Sequence, residues 1–139
     1  MDATAVWKNG LSFTGTGHTS GFSVPLGADT SVGGQKDGFR PLELLIVGLA
    51  GCTGMDVISI LSKKQQQVSA FEVKVHGENA AEHPKVFTSI LVEYVVTGKA
   101  LDPSAVQKAV ELSATKYCPA IASLRKAATI ETKITILEG

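Results

Sequence analysis

The sequence has no excess of charge of either sign. Its 139 residues include 13 Lys and Arg and 13 Asp and Glu, so the formal net charge is +0 with neutral histidines. Proteins that bind nucleic acid or an anionic membrane surface usually concentrate positive charge, so we expect neither partner. The first ten residues lack the basic-then-apolar pattern of a secretory signal. These absences favour a cytoplasmic protein.

Histidines and cysteines are also scarce. The three histidines, His18, His76 and His83, do not fall at metal-ligand spacing, so we expect no metal site. The two cysteines are Cys52 and Cys118. Because stable structural disulfides are rare in the cytoplasm, they are either free thiols or a redox pair. Their spacing leaves open that both simply fill the core, since free cysteine is among the most buried residue types.

What the sequence does contain is a long apolar segment, Pro41–Lys63. Its apolar residues recur at helical spacing, and proline suits the first turn of a helix. Both faces of this helix are apolar, so we expect it to be buried nearly all round. The uncharged stretch between Glu43 and Asp56 is shorter than the roughly 20 residues of a membrane span. The segment therefore predicts the central helix of a folded domain.

Alternating apolar and polar residues predict strands on both sides of this helix. The expected elements are a hairpin in residues 3–14 turning at Asn9-Gly10, a strand at 22–26, a loop at 27–39, strands at 68–77 and 87–97, a helix starting at Pro103 and broken at Pro119, and a strand at 129–137. This order predicts a single α+β domain over residues 1–139, with a mostly antiparallel sheet, a long central helix and a broken second helix.

A helix that is apolar on all faces has more surface than one small sheet can cover. Gly48, Gly51 and Gly54 each cost this helix about 1 kcal/mol relative to alanine, which suggests that another backbone approaches it closely. We therefore expect an obligate homodimer, with the glycine face of the helix as a contact.

The two cysteines lie in different local environments. Cys52 is in the middle of the central helix and gains little from the helix dipole. Cys118 precedes Pro119 at the start of the next helical piece, where free N–H groups favour a thiolate. Asp56 is one turn after Cys52, and a carboxylate there would oppose a thiolate. We expect Asp56 to point elsewhere or to pair with a base.

A thiolate at Cys52 needs a cation nearby. The basic residues on or near the predicted helices are Arg40, Lys116 and Arg125. Glu43 lies about two and a half turns before Cys52, so it can reach Arg40 or a bound substrate but not the thiol itself.

The central segment RPLELLIVGLAGCTGMDVISIL, followed by TKYCPAIASL near the end, resembles the OsmC/Ohr family of thiol-dependent peroxidases. The match includes P-x-E-L, GCT and D-V in the central helix, K-Y-C before Pro119, and W-x-x-G-x-x-F near the N-terminus. It covers nearly the whole chain. The resemblance implies an α+β fold and an intertwined homodimer with two active sites at the interface.

The resemblance also implies a reaction, the reduction of organic hydroperoxides in an antioxidant stress response. Cys52 would attack the peroxide bond and become a sulfenic acid, and Cys118 would condense with it to form a disulfide. An external dithiol reductant of the lipoyl type would reduce this disulfide, with no bound cofactor. Arg40 and Glu43 would take the places of the arginine and glutamate with which family members activate the thiolate and orient the peroxide.

Two positions differ from the peroxidase members. Those members take their arginine from the N-terminal strand region, whereas residues 1–39 contain none and Arg40 is the nearest. The Ohr-branch glutamate follows the proline at once, but Leu42 holds that position and Glu43 comes one residue later. These differences motivate a second hypothesis, in which the same fold is a binding module for a small apolar or thiol-reactive ligand with little peroxidase activity.

Overall fold

The computed structural model describes all 139 residues and divides the chain into two compact units, Met1–Leu45 and Ile46–Gly139. Each unit contains one three-stranded sheet. The boundary falls within helix α1 (Pro41–Lys63), whose bounds agree with the sequence-based prediction. That the chain acts as one domain stays a prediction.

The first unit is an antiparallel sheet followed by a loop. Its strands are β1 (Ala3–Asn9), β2 (Ser12–Gly17) and β3 (Ser23–Leu26), in the order β1-β2-β3. The β1–β2 turn consists of residues 10 and 11, and Gly10 adopts a φ of +48°, a conformation that favours glycine. The predicted loop contains only a short 3₁₀ turn, Thr30–Val32.

The second unit contains the other sheet and the broken helix. Its strands are β4 (Gln67–Asn79), β5 (Phe87–Lys99) and β6 (Thr129–Glu138), with β5 in the middle. Strand β5 pairs antiparallel with β4 and parallel with β6. The parallel pair needs a long crossover, which the broken helix supplies. The predicted α+β class with a mostly antiparallel arrangement is confirmed, although it is divided between two sheets.

The second helix breaks as expected. Helix α2 (Pro103–Leu112) begins at Asp102, whose side chain accepts a hydrogen bond from the Ser104 N–H at 2.9 Å. Residues Ser113–Tyr117 continue it as a π-helical turn, and helix α3 (Pro119–Leu124) follows. The break therefore places Cys118 between a π turn and a new helix.

The core lies in the second unit. Strand β5 contributes Ile90, Val92, Tyr94 and Val96 from one face, as its alternation predicted. The helices contribute a further buried set, Leu49, Val57 and Leu61 from α1, and Val106, Val110 and Ile121 from the broken helix. Leu91 and Val95 are apolar residues on the opposite face of β5, and they predict that this face is covered too. The structure differs, because Leu91 is 41% exposed.

Helix α1 is buried on one face only, which corrects the expectation of burial all round. Val47 and Met55 are 47% and 72% exposed in the single chain. A Cβ atom built on Gly48 or Gly51 meets no other atom within 4 Å, whereas one on Gly54 meets Val73. By length and composition alone α1 could cross a membrane, but the core helix of a folded domain meets the same criteria. The helix surface at Gly48 and Gly51 thus has room for another backbone, and the chain itself does not fill it.

Candidate functional site

The two cysteines come together in the second unit. Cys118 is 3% exposed and belongs to the hydrophobic core, while Cys52 is half-buried and packs against that core. Both are free thiols. Cys52 is therefore the more accessible of the two, and it is close enough to Cys118 to share a hydrogen bond with it.

The surroundings of Cys118 keep its thiol protonated. Its pKa is raised from an ordinary 9.0 to about 11, chiefly by burial, and the hydrogen bond and negative charge of Cys52 act in the same direction. The Ile121 N–H donates to the Cys118 sulfur at 3.4 Å and opposes this shift. The sequence-based expectation that the helix start would favour a thiolate here is wrong, because desolvation outweighs the backbone hydrogen bonds from Ile121 and Ala120.

A buried chain of hydroxyl groups lies beside the cysteines. Thr53 Oγ1 is 2.7 Å from the Tyr94 hydroxyl and 2.7 Å from Ser113 Oγ. The Ser113 hydroxyl in turn donates to Asp56 Oδ2 at 3.0 Å. Burial raises the pKa of Tyr94, and the neighbouring Cys118 and Asp56 act in the same direction, whereas the hydrogen bond with Thr53 opposes the shift. Three elements, α1, β5 and the π turn, thus meet at one polar cluster inside the core.

This hydroxyl chain was missed in the sequence, although a signal was present. Thr53, Tyr94 and Ser113 are polar residues at positions that the apolar periodicity assigns to the core. Asp56 accepts from Ser113 and forms no ion pair, so the second of the two expectations, that it pairs with a base, is not met.

Arg40 and Glu43 belong to the first unit. The Arg40 guanidinium donates to the Gly38 carbonyl at 3.0 Å and pairs with Asp29 at 3.4 Å. Asp29 caps the 3₁₀ turn, and its pKa is lowered chiefly by the Ser31 N–H and also by Arg40. Glu43 is exposed and has no hydrogen-bond or ion-pair partner in the chain. Arg40 is therefore held in its own loop, and Glu43 is free.

The other two basic candidates also make contacts near their own positions. The Lys116 ammonium lies 5.2 Å from the centre of the Tyr117 ring, and Arg125 donates to the Ala114 carbonyl at 2.8 Å. Neither makes an ion pair in the chain. No group of three or more His, Cys, Asp or Glu side chains converges in a way that could hold a metal ion.

The first unit contains an open groove of about 420 Å³. Its walls are apolar or small side chains, including Phe22, Val24, Leu26 and Leu44. It contains no cysteine and no charged residue. The groove can accept an apolar group but offers no chemistry of its own.

The fold and the two thiols define a class of α+β protein with a cysteine pair between its central helix and a broken second helix. The profile of the family described as OsmC-like protein matches residues 33–133. Protein YhfA of Escherichia coli K12 is 38% identical over 130 residues, which cover 94% of this chain and 93% of that protein. The chain therefore belongs to the OsmC-like family.

Solved structures share the fold over almost the full length. A hypothetical protein from Aquifex aeolicus has a TM-score of 0.86 and 25% identity, covering 99% of this chain and 96% of that one. An organic hydroperoxide resistance protein from Legionella pneumophila has a TM-score of 0.70 and 15% identity, covering 96% and 95%. The expected OsmC/Ohr membership is confirmed by the family match, and the fold is shared with the protein from Legionella pneumophila.

Proposed function

We propose that this chain reduces organic hydroperoxides, with Cys52 as the attacking thiol. The Cys52 thiolate attacks one peroxide oxygen, the O–O bond breaks, and the alkoxide leaves with a proton as an alcohol. Cys52 becomes a sulfenic acid. The proposal is supported by family membership and by the presence of two neighbouring free thiols, one of them half-exposed.

The observation that carries the proposal is the contrast between the two thiols. Burial together with the hydrogen bond and charge of Cys52 holds the pKa of Cys118 near 11. When Cys52 becomes a neutral sulfenic acid, its negative charge is gone. One cause of the raised pKa of Cys118 then disappears, so Cys118 becomes a better nucleophile after Cys52 has been oxidised.

The cycle closes with two further steps. Cys118 attacks the Cys52 sulfur to form a disulfide, and an external dithiol, proposed to be of the lipoyl type, reduces it by exchange. A cytoplasmic setting would supply such a reductant. A homodimer is the proposed assembly, and Arg40 and Glu43 are the proposed activating pair. Arg40 would then have to exchange its contact with Asp29 for one with the peroxide or the thiolate.

A second candidate function has its own observation. The apolar groove of the first unit and the occupied guanidinium of Arg40 favour a binding module for a small apolar or thiol-reactive ligand. In that case the thiols would react with, or hold, the ligand without rapid turnover of peroxide.

The test is peroxide consumption by the reduced protein. Cumene hydroperoxide and hydrogen peroxide are compared, with dihydrolipoamide as reductant. We expect turnover that favours the organic peroxide and vanishes in Cys52→Ser. Cys118→Ser should turn over more slowly than the wild type, because its sulfenic acid has no internal partner and must be reduced directly by the added dithiol.

Two results separate the candidates. Full turnover by Cys52→Ser would sink the peroxidase proposal. No turnover by the wild-type protein, with both thiols still titratable and an apolar ligand detected by native mass spectrometry, would favour the binding module.

A further inference from the structure

One buried hydrogen bond joins the two backbones that carry the cysteines. Thr53 directly follows Cys52 on α1, and its Oγ1 lies 2.7 Å from Ser113 Oγ. The Ser113 carbonyl accepts the Cys118 N–H at 2.9 Å, which is the π-helical bond that closes the turn. Any shift of α1 against this turn would strain the Thr53–Ser113 hydrogen bond and move the two sulfur atoms relative to each other.

The hydrogen bond to Asp56, at the end of the chain of hydroxyls, fixes which group is the donor in each of the other hydrogen bonds. The Ser113 hydroxyl donates its single proton to Asp56 Oδ2. Ser113 must then accept from Thr53, and Thr53 must accept from Tyr94. The four groups therefore form one directed chain, Tyr94 to Thr53 to Ser113 to Asp56, in which each hydroxyl donates once.

The chain occupies positions where apolar side chains would normally pack. Thr53, Tyr94 and Ser113 are all 0% exposed, and no buried side-chain polar atom in the molecule lacks a partner. Burying hydroxyls gains little stability over apolar packing, but a fully satisfied buried network fixes one arrangement of the elements it joins. Asp56, the end of the chain, also lines a surface cleft of about 350 Å³.

We propose that the hydroxyl chain from Tyr94 to Asp56 positions Cys118 against Cys52 and so sets how readily the two form a disulfide. Thr53, Ser113, Tyr94 and Asp56 are thus positioning residues. The inference rests on the proposed function for its physiological oxidant, the hydroperoxide that converts Cys52 to a sulfenic acid. Cys118 Sγ then attacks Cys52 Sγ, the S–S bond forms, the S–O bond breaks, and the thiol proton leaves with the hydroxide as water.

The test measures positioning without peroxide. Oxidised glutathione takes two electrons from the dithiol and yields two reduced glutathione molecules, so the equilibrium in glutathione buffers gives the effective concentration of one thiol toward the other. Thr53→Val keeps the shape of the side chain and removes its hydroxyl. Thr53→Val loses two buried hydrogen bonds, but only the one to Ser113 joins the two segments that carry the cysteines. We therefore expect it to lower the effective concentration about five- to tenfold, as for the loss of that one bond. Thr53→Ser keeps the hydroxyl and should stay within about twofold of the wild type.

Two further variants separate positioning from stability. Tyr94→Phe removes only the first donor of the chain and retains the ring. If Thr53→Val does not fold, the effective concentration is measured on Tyr94→Phe instead. Val57→Ala is the matched control, because Val57 lies one turn beyond Thr53 on the same buried face of α1 and has no polar side-chain atom. It should lower the melting temperature but leave the effective concentration unchanged.

The inference is overturned if the folded Thr53→Val and Tyr94→Phe proteins keep the wild-type effective concentration. It is also overturned if Val57→Ala lowers that value equally, or if the wild-type protein forms no Cys52–Cys118 disulfide in these buffers. Hydroperoxide consumption is measured separately on the same samples. A protein that consumes no hydroperoxide but shows the expected glutathione equilibria would refute the proposed function and leave the positioning role supported.

Discussion

The two sheets of this molecule differ sharply in what they bury. Every residue of β1 is exposed, and the first unit, Met1–Leu45, buries only Ser12 and Gly27. The central strand of the second sheet, β5, buries every other side chain over most of its length. The hydrophobic core lies entirely between Leu49 and Ala128. One unit has a core and the cysteine pair, and the other has a sheet without a core.

This difference shows where the chain lacks a partner. An antiparallel sheet normally packs one face on a core, and large apolar patches on a surface usually mark a contact. In the first unit Val6, Trp7 and Phe22 are 62%, 62% and 79% exposed. Gly48 and Gly51 on α1 are also exposed, and no other part of the chain packs against them. We expect a second copy of the chain to cover these surfaces, as an obligate homodimer requires.

The largest expected effect on stability comes from shortening one apolar side chain in each unit and comparing the two losses. Leu61→Ala removes a fully buried side chain of the second unit and should lower the free energy of unfolding by about 2–5 kcal/mol. Val6→Ala removes a side chain that is exposed in the single chain and should cost at most about 0.5 kcal/mol if it stays exposed. Urea denaturation at several protein concentrations measures both.

A larger loss of unfolding free energy in Val6→Ala would mean that Val6 is not exposed in solution. If Val6→Ala costs more than about 1 kcal/mol and the cost depends on protein concentration, a second copy covers the first sheet. If both variants are nearly neutral, the second unit does not hold the core assigned to it.

The same difference explains what the sequence could predict of the fold. Periodicity identified α1 to the residue and the inward face of β5, because local apolar patterns are present in any chain that folds this way. It overstated the burial of α1 and of Leu91, because an apolar face does not say whether its cover comes from the same chain. It also placed all strands in one sheet, since pairing between distant strands leaves no local signal.

The site was predictable in part. The two cysteines were recognised from motif resemblance, and the structure brings them together. The environment of Cys118 was misjudged, because the break at Pro119 signals a helix start but not the depth of burial around it. Thr53 and Ser113 could have been noticed as polar residues at core positions, but their meeting across 60 residues of sequence depends on tertiary packing.

Within the second unit, the next effect concerns the order in which the thiols react. Alkylating agents react with the thiolate, and the pKa of Cys118 near 11 leaves little thiolate at pH 8. Iodoacetamide at pH 8 should therefore label Cys52 first. Labelling of Cys118 in the native reduced protein should rise only as the pH approaches 11. Intact-mass spectrometry with peptide mapping follows both sites.

The control removes one cause of the shift. In Cys52→Ser the thiolate charge next to Cys118 is gone, so the pKa of Cys118 should fall and its labelling should begin at lower pH. Burial remains, and the pKa should stay above 9.0. If Cys118 in the wild-type protein is labelled as fast as Cys52 at pH 8, the contrast between the two thiols is wrong.

Gly48→Ala should change the stability of the protein by a smaller amount. The sign of that change shows whether a second copy packs against Gly48. In the single chain the added methyl meets open space, so the better helix propensity of alanine should stabilise the protein by about 1 kcal/mol. If a second copy packs its backbone there, the same methyl should destabilise the protein and weaken the dimer. Thermal unfolding and light scattering after size exclusion give the two readings. Gly54→Ala is the control, because its methyl would press on Val73 of the same chain whatever the assembly.

The smallest expected change in stability asks whether the first unit takes part in the chemistry of the second. Arg40 pairs with Asp29 at 3.4 Å, and its side chain is 35% exposed, so Arg40→Gln should cost at most about 1 kcal/mol of unfolding free energy. If Arg40 activates Cys52, the same variant should lower hydroperoxide turnover at least about tenfold, which corresponds to roughly 1.4 kcal/mol of lost transition-state stabilisation. Asp29→Asn breaks the ion pair but keeps the guanidinium, and should preserve or raise turnover. Equal turnover by the wild type and Arg40→Gln would confine Arg40 to its loop, and Cys52 would then owe its reactivity to groups of its own unit.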